Sequence, residues 1–178
     1  MRKFLFILLI FGYNQAFSQF EVGLEFQAYP TGFIPGIHLE YELSPHSGLQ
    51  GRVGYNVVRH RGLGVHDDER GGGFGGTLGY RYYFKPERKG LLLGIRCDLW
   101  RNEVDWRDNI GLITEVNGTS EVTVLQPTAE IGFVRSLKNG LFLIPTVALG
   151  AEINIQTDGA EIGQGAILLL GATLAKRF

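Results

Sequence analysis

The chain has 178 residues, enough for one domain of ordinary size. Lys and Arg number 17 against 18 Asp and Glu, so the formal charge is −1 and the basic surplus of a nucleic-acid-binding protein is excluded. The one cysteine excludes an intramolecular disulfide and a cysteine-based zinc site, while 26 glycines, about twice the usual share, need a structural reason.

The first element is an export signal. Arg2 and Lys3 precede an unbroken apolar run over 4–11, too short to cross a bilayer as a helix. Ala16-Phe17-Ser18 puts small residues where signal peptidase reads them, which predicts cleavage after Ser18. Residues 19–178 are then one exported domain, and loss of Arg2 and Lys3 takes the formal charge to −3. No cysteine follows the cleavage site to carry a lipid anchor.

Eight segments with period-two alternation follow, separated by Gly, Asn, Ser, Pro and charged residues. They are predicted over 20–29, 34–43, 49–58, 74–84, 91–102, 121–135, 141–155 and 165–178. Strands near ten residues match a tilted bilayer crossing of about 9–11 residues better than a soluble strand of about five or six. One parity is apolar in every segment, as in Val22, Leu24 and Phe26 or Leu91, Leu93, Ile95, Cys97 and Leu99. The other parity carries glycines and the charges Glu25, Glu40, Glu42, Arg52, Arg81, Arg96, Asp98, Glu130, Glu152 and Arg177. Pro127 and Pro145 fall inside the sixth and seventh segments, where each removes a ladder donor, so a bulge or local break is expected at both.

Alternation does not say which face points outward. The polar parity is too sparse in charge for a water-facing surface. Connections 44–48, 85–90 and 136–140 are tight, whereas 59–73 and 103–119 are long, the asymmetry of an outer-membrane barrel. Aromatics such as Phe20, Tyr41, Phe74, Tyr82 and Phe178 gather near strand ends, as interface girdles require. The fold class read here is therefore all-β: a transmembrane antiparallel up-and-down β-barrel of eight strands. Its apolar face meets lipid, and its interior is a plug of glycines and paired charges.

The signal, the eight strands, the loop asymmetry and the terminal Gly171–Phe178 segment resemble the small eight-stranded outer-membrane β-barrel family, whose familiar members are the OmpA transmembrane domain and OmpX. The resemblance implies location in the bacterial outer membrane among lipid and lipopolysaccharide. It also implies that Gly171, Leu174 and Phe178 serve as the signal for the barrel-assembly machinery. Lys176 stands where that signal usually has a hydrophobic or aromatic residue.

The interior charges are the main candidate constellation. Charges buried at low dielectric must pair, so a salt-bridge plug is expected, and the same pairs would gate any narrow channel or small-ligand path. The barrel hydrolases and acyltransferases that modify lipid A use Ser and His. Here His46-Ser47 lies in a short turn and His38 points inward with no serine partner, so no enzyme is expected. The loop 59–73 carries His60, His66, Asp67, Asp68, Glu69 and Arg70, able in principle to bridge cations or lipopolysaccharide phosphates but matching no defined metal loop. No cofactor or metal is expected. The expected partners are outer-membrane lipid, lipopolysaccharide and an extracellular partner met by loops 59–73 and 103–119, with the chain a monomer.

Overall fold

The computed structural model describes residues 19–178; the predicted signal peptide over 1–18 and its cleavage site lie outside the described residues. Eight antiparallel strands run in chain order: β1 Phe20–Tyr29, β2 Gly32–Ser44, β3 Ser47–Arg61, β4 Asp68–Lys85, β5 Lys89–Asp108, β6 Val116–Ser136, β7 Leu141–Asp158 and β8 Gly165–Arg177. Each pairs with its neighbour, and β1 pairs with β8 from Glu21↔Arg177 to Ala28↔Leu170, closing the barrel. Closure leaves no strand edge, the condition for β-structure in hydrocarbon.

The two ends differ. Both termini and three short connections, between Ser44 and Ser47, Lys85 and Lys89, and Ser136 and Leu141, mark one end, called here the terminus end. At the other, the hairpin end, β1 and β2 meet across Pro30-Thr31, while the remaining strands run on as long hairpins. The predicted loops 59–73 and 103–119 are mostly strand. Pairing continues to Arg61↔Asp68 and to Asp108↔Val116, so the true loops are only 62–67 and 109–115. These extensions replace the apolar parity with charge, which is why sequence periodicity loses them.

Outward side chains form an apolar belt around the barrel, including Leu24, Ile37, Val53, Leu78, Ile95, Leu149 and Leu170, all exposed. A soluble monomer rarely exposes an apolar patch beyond a few hundred Å². The belt has sharp limits. On β5 the outward series Leu91, Leu93, Ile95, Cys97, Leu99 gives way to Arg101, Glu103, Asp105 and Arg107. Aromatic pairs mark both margins: Phe20–Tyr41 and Tyr82–Phe84 toward the terminus end, Phe26–Phe33 and Tyr55–Phe74 toward the hairpin end. This is the interface girdle of a transmembrane barrel.

The two prolines produce a gap, not a bulge. The β6–β7 ladder passes from Leu125↔Ile153 to Thr128↔Gly150, and from Gly132↔Thr146 to Arg135↔Leu143, skipping both prolines and then resuming in the same register. The opposite neighbours pair without interruption, as Cys97↔Pro127 and Pro145↔Ala172. The one β6–β7 register shift lies instead at Thr123/Val124, above both prolines. A missing N–H removes a bond to one neighbour only, so flanking pairs hold the alignment.

Inward glycines make room for bulk on the next strand. A Cβ on Gly75 would collide with the Trp100 ring and the Leu99 carbonyl, and one on Gly94 would lie 2.7 Å from Glu130 Oε1. Outward Gly51 is free of this constraint: a Cβ there meets nothing nearer than 3.7 Å. Gly75→Ala is expected to cost about 1–3 kcal/mol through overpacking. Gly51→Ala should be neutral or mildly stabilising. Urea unfolding of the two variants in lipid vesicles checks the contrast.

Candidate functional site

The interior has three layers, which corrects the expectation of a wholly polar plug. Toward the hairpin end Ile34, Trp100, Val104, Val122, Val124, Ala148, Ile167 and Leu169 form an apolar core with Ile162 from the loop after β7. Toward the terminus end Tyr83, Leu92, Val134 and Ile144 form a smaller cluster with Phe142. Charges fill the layer between. The interior of an eight-stranded barrel is filled by side chains, and apolar packing there avoids the desolvation that further ion pairs would need. The sequence carries a trace of this in doublets apolar on both parities, such as Tyr82-Tyr83, Leu91-Leu92, Leu99-Trp100 and Leu168-Leu169.

The middle layer is built by register. Arg52 on β3 stands opposite His38 on β2 and Thr77 on β4, and Thr77 stands opposite Asp98 on β5. The Arg52 guanidinium therefore reaches Glu25 Oε1 at 2.9 Å, Gln27 Oε1 at 2.7 Å, Asp98 Oδ1 at 2.8 Å and Thr77 Oγ1 at 3.1 Å. It also lies 5.2 Å from the Trp100 ring centroid, where the charged layer meets the apolar core. Arg96 donates to the same two carboxylates, Glu25 and Asp98, each at 3.1 Å. Arg81 grips Glu130 with two nitrogens at 2.8 and 3.3 Å and reaches Glu40 at 3.3 Å. Gln50 adds a bond to Glu130.

Seven of the predicted interior residues, Glu25, Glu40, Arg52, Arg81, Arg96, Asp98 and Glu130, thus lie in this layer, all buried. The other charges stand apart. Glu152 lies toward the hairpin end and accepts from Gln126 Nε2 at 2.7 Å. Arg177 lies at the terminus end, 2.6 Å from Glu21, and its guanidinium sits 4.1 Å from the Phe142 ring centroid. Glu42 is half-buried and takes Arg88 at 3.1 Å.

Sequence reading missed Glu21 and Arg88 and gave His38 no role. Arg88 sits in the turn after β4 at φ +49°, an uncommon conformation for a non-glycine residue. That turn folds its side chain under the barrel, where it reaches Glu40 Oε1 at 3.1 Å. Period two carries no information about a turn residue. Glu21 does lie on the inward parity, at the edge of the first strand.

Among the assembly-signal residues, Gly171 faces Gln27 and Thr146, Leu174 points outward, and exposed Phe178 donates its N–H to Phe20 O at 3.0 Å. The Lys176 ammonium lies 5.3 Å from the Phe178 ring centroid. His46 and Ser47 have separate engagements: His46 Nδ1 is 2.9 Å from Tyr83 O, and Ser47 Oγ is 2.8 Å from Ser44 Oγ. They do not form a nucleophile–base pair.

Beyond the belt, the charges of 59–73 are used to hold the hairpins. His66 lies between Asp108 Oδ2 at 2.7 Å and Glu161 O at 3.0 Å, stacked 4.3 Å from Trp106, and so ties three loops. Asp68 sits beneath Arg59 and Arg107, each at 2.9 Å. Glu69 pairs with His60 and accepts the N–H groups of Val65 at 3.0 Å and His66 at 3.1 Å. Burial pushes the Glu69 carboxyl up, but His60 and the two amides outweigh it and hold it below its ordinary value. Asp108 is likewise lowered, first by His66 and then by the Asp67 N–H.

Similar solved structures include Ail, the attachment invasion locus protein of Yersinia pestis, at 11% identity over 88% of this chain and 96% of that one, with a TM-score of 0.50. Neisserial surface protein A is similar at 12% identity over 90% and 95%, TM-score 0.48. The N-terminal β-barrel domain of Pseudomonas aeruginosa OprF is similar at 15% identity over 89% and 97%, TM-score 0.47. The likeness is to eight-stranded outer-membrane β-barrels, and at these identities it concerns the fold alone. No family model and no curated protein matches the chain.

Two outcomes are expected. Arg81→Ala strands Glu40 and Glu130 and should cost about 3–5 kcal/mol, while Arg81→Met with Glu130→Met should cost less, read by urea unfolding. A lowered Glu69 carboxyl favours the folded hairpin above the unfolded value of about 4.3, and that contribution is lost as pH falls through the lower folded value. The amide resonances of Val65 and His66 should therefore titrate together below pH ~4.3, and Glu69→Gln should abolish the titration.

Proposed function

We propose that the chain is an integral outer-membrane protein, exported by residues 1–18, with a closed interior and a structural or adhesion-like role exercised through its hairpins. The observation that carries this reading is the pair of boundaries on the barrel wall. An apolar belt edged by aromatics ends at charged outward positions such as Arg101, and the strands continue beyond it. In this reading the terminus end is periplasmic and the hairpin end external, as the short-turn and long-loop asymmetry of such barrels requires. Assembly would use Gly171, Leu174 and Phe178.

The hairpin tips support surface interaction. Leu63 and Val65 in one loop, and Ile110, Leu112 and Ile113 in the next, are exposed beyond the charged outward positions. Aliphatic side chains held there by charged hairpins are suited to meet another macromolecule or the lipopolysaccharide layer. The narrow-channel reading is disfavoured by the apolar Trp100 and Tyr83 clusters above and below the charged layer, and by the ion pairs that fill its cross-section. The charged layer is better suited to holding the wall rigid than to catalysis, since its arginines and carboxylates are spent on each other.

Membrane fractionation with heat-modifiability on gels should place a folded barrel in the outer membrane, and planar-bilayer recording of purified protein should give no conductance steps. Release as a soluble periplasmic protein would sink the membrane reading, and regular steps would sink the closed interior. Leu112→Ser with Ile113→Ser should weaken surface binding while leaving the heat-modifiable fold unchanged.

A further inference from the structure

The histidine of the charged layer has an arrangement that the plug does not use. His38 is completely buried, and neither ring nitrogen makes a hydrogen bond among the described residues. Its Nε2 lies 3.8 Å from Glu21 Oε1 and 3.8 Å from Glu40 Oε2. Glu21 Oε1 is also buried without a partner. One ligand atom from each of the three residues falls within 4.8 Å of the others, and all three side chains are buried. Register produces the group: Glu21 stands opposite Glu40 on β2, and His38 lies two residues from Glu40 on the same inward face.

We propose that Glu21, His38 and Glu40 form a binding site for a divalent first-row cation such as Zn²⁺ near the terminus end of the barrel. One imidazole and two carboxylates are a donor set such ions accept. Tetrahedral donors around bonds of about 2.1 Å lie about 3.4 Å apart, so each carboxylate oxygen at 3.8 Å from His38 Nε2 need draw in toward it by only a few tenths of an ångström. His38 Nδ1 lies 3.2 Å from Glu25 Oε2, and the other oxygen of Glu25 is held by Arg52 and Arg96. Glu25 thus stands where an outer carboxylate would orient a metal-bound histidine, with Nδ1 turned toward it and Nε2 toward the ion.

Charge is consistent with a cation. The layer and its terminus-end neighbours hold six carboxylates against five guanidiniums when Glu42, Arg88, Glu21 and Arg177 are included. Both ligating carboxylates keep arginine partners: Arg177 binds the opposite oxygen of Glu21, Arg88 binds the opposite oxygen of Glu40 at 3.1 Å, and Arg81 approaches Glu40 Oε2 at a long 3.3 Å. Tyr83 donates to Glu40 at 2.7 Å and orients it further. Toward the terminus end Glu21 is held by Arg177, which is partly exposed and pinned to the carbonyls of Glu87 and Arg88.

The test is to refold the barrel in detergent with Co²⁺, remove free metal, and record the visible absorption of the folded, heat-modifiable species. Wild type should retain stoichiometric Co²⁺ with the intense bands of a four-coordinate ion, and Zn²⁺ should displace it. Glu25→Gln, which keeps all three ligands, should weaken retention about 10–100-fold. His38→Gln and Glu21→Gln should abolish the bands, whereas Glu152→Gln should not. A folded wild-type barrel that retains no Co²⁺ overturns the site. Unchanged bands in folded His38→Gln overturn it equally.

Discussion

Closure of eight strands sets the physics of this protein. The ring gives every strand a partner on both sides, yet it leaves an interior filled by side chains, with no bulk water to solvate charge. Each inward charged group must therefore find its partner across the barrel. Arg52 does so with four acceptors from three other strands, and Arg81 with two carboxylates. Glycine is the other half of the arrangement. Gly36 lies against the Arg52 side chain, Gly48 against Glu40 and Gly94 against Glu130, so the glycine excess is the space that long charged side chains occupy.

The apolar layers at both ends follow from the same shortage of room. Ion pairs are tolerated at low dielectric only with close geometry, and the register supplies that geometry over a limited height of the wall. Above and below it the barrel packs Trp100 with its neighbours, and Tyr83 with Leu92 and Ile144. A charged layer packed between two apolar clusters ties the strands together across the barrel. Such a wall is a rigid support for hairpins that stand beyond the bilayer belt.

Those hairpins obey different rules. Outside the belt the outward face is charged, and loop order depends on specific polar contacts such as His66 with Asp108 and Glu69 with the Val65 and His66 amides. Charges that look like a binding loop in sequence are largely consumed in holding the loops together. The exposed aliphatics at the tips, not the histidines and carboxylates, are what the hairpins present to the surroundings.

The barrel was legible because lipid imposes the same demand on every strand: the outward residue must be apolar whatever its neighbours are. That demand needs no tertiary information, so Leu91 to Leu99 on β5 and the inward placement of Glu25, Arg52, Arg81 and Arg96 could be read from parity alone. It weakens where lipid ends, which is why the outer extensions of β4 to β6 looked like loops. It is silent in turns, which hid Arg88. It also does not distinguish an inward apolar residue from a membrane-facing one, which hid the Trp100 and Tyr83 layers. Which charge meets which was decided only by the closed ring. Glu25 and Arg96 are 71 residues apart, and Gln50 and Glu130 are 80 apart. The shear and closure that bring them within bonding distance are properties of the whole barrel and of no single strand.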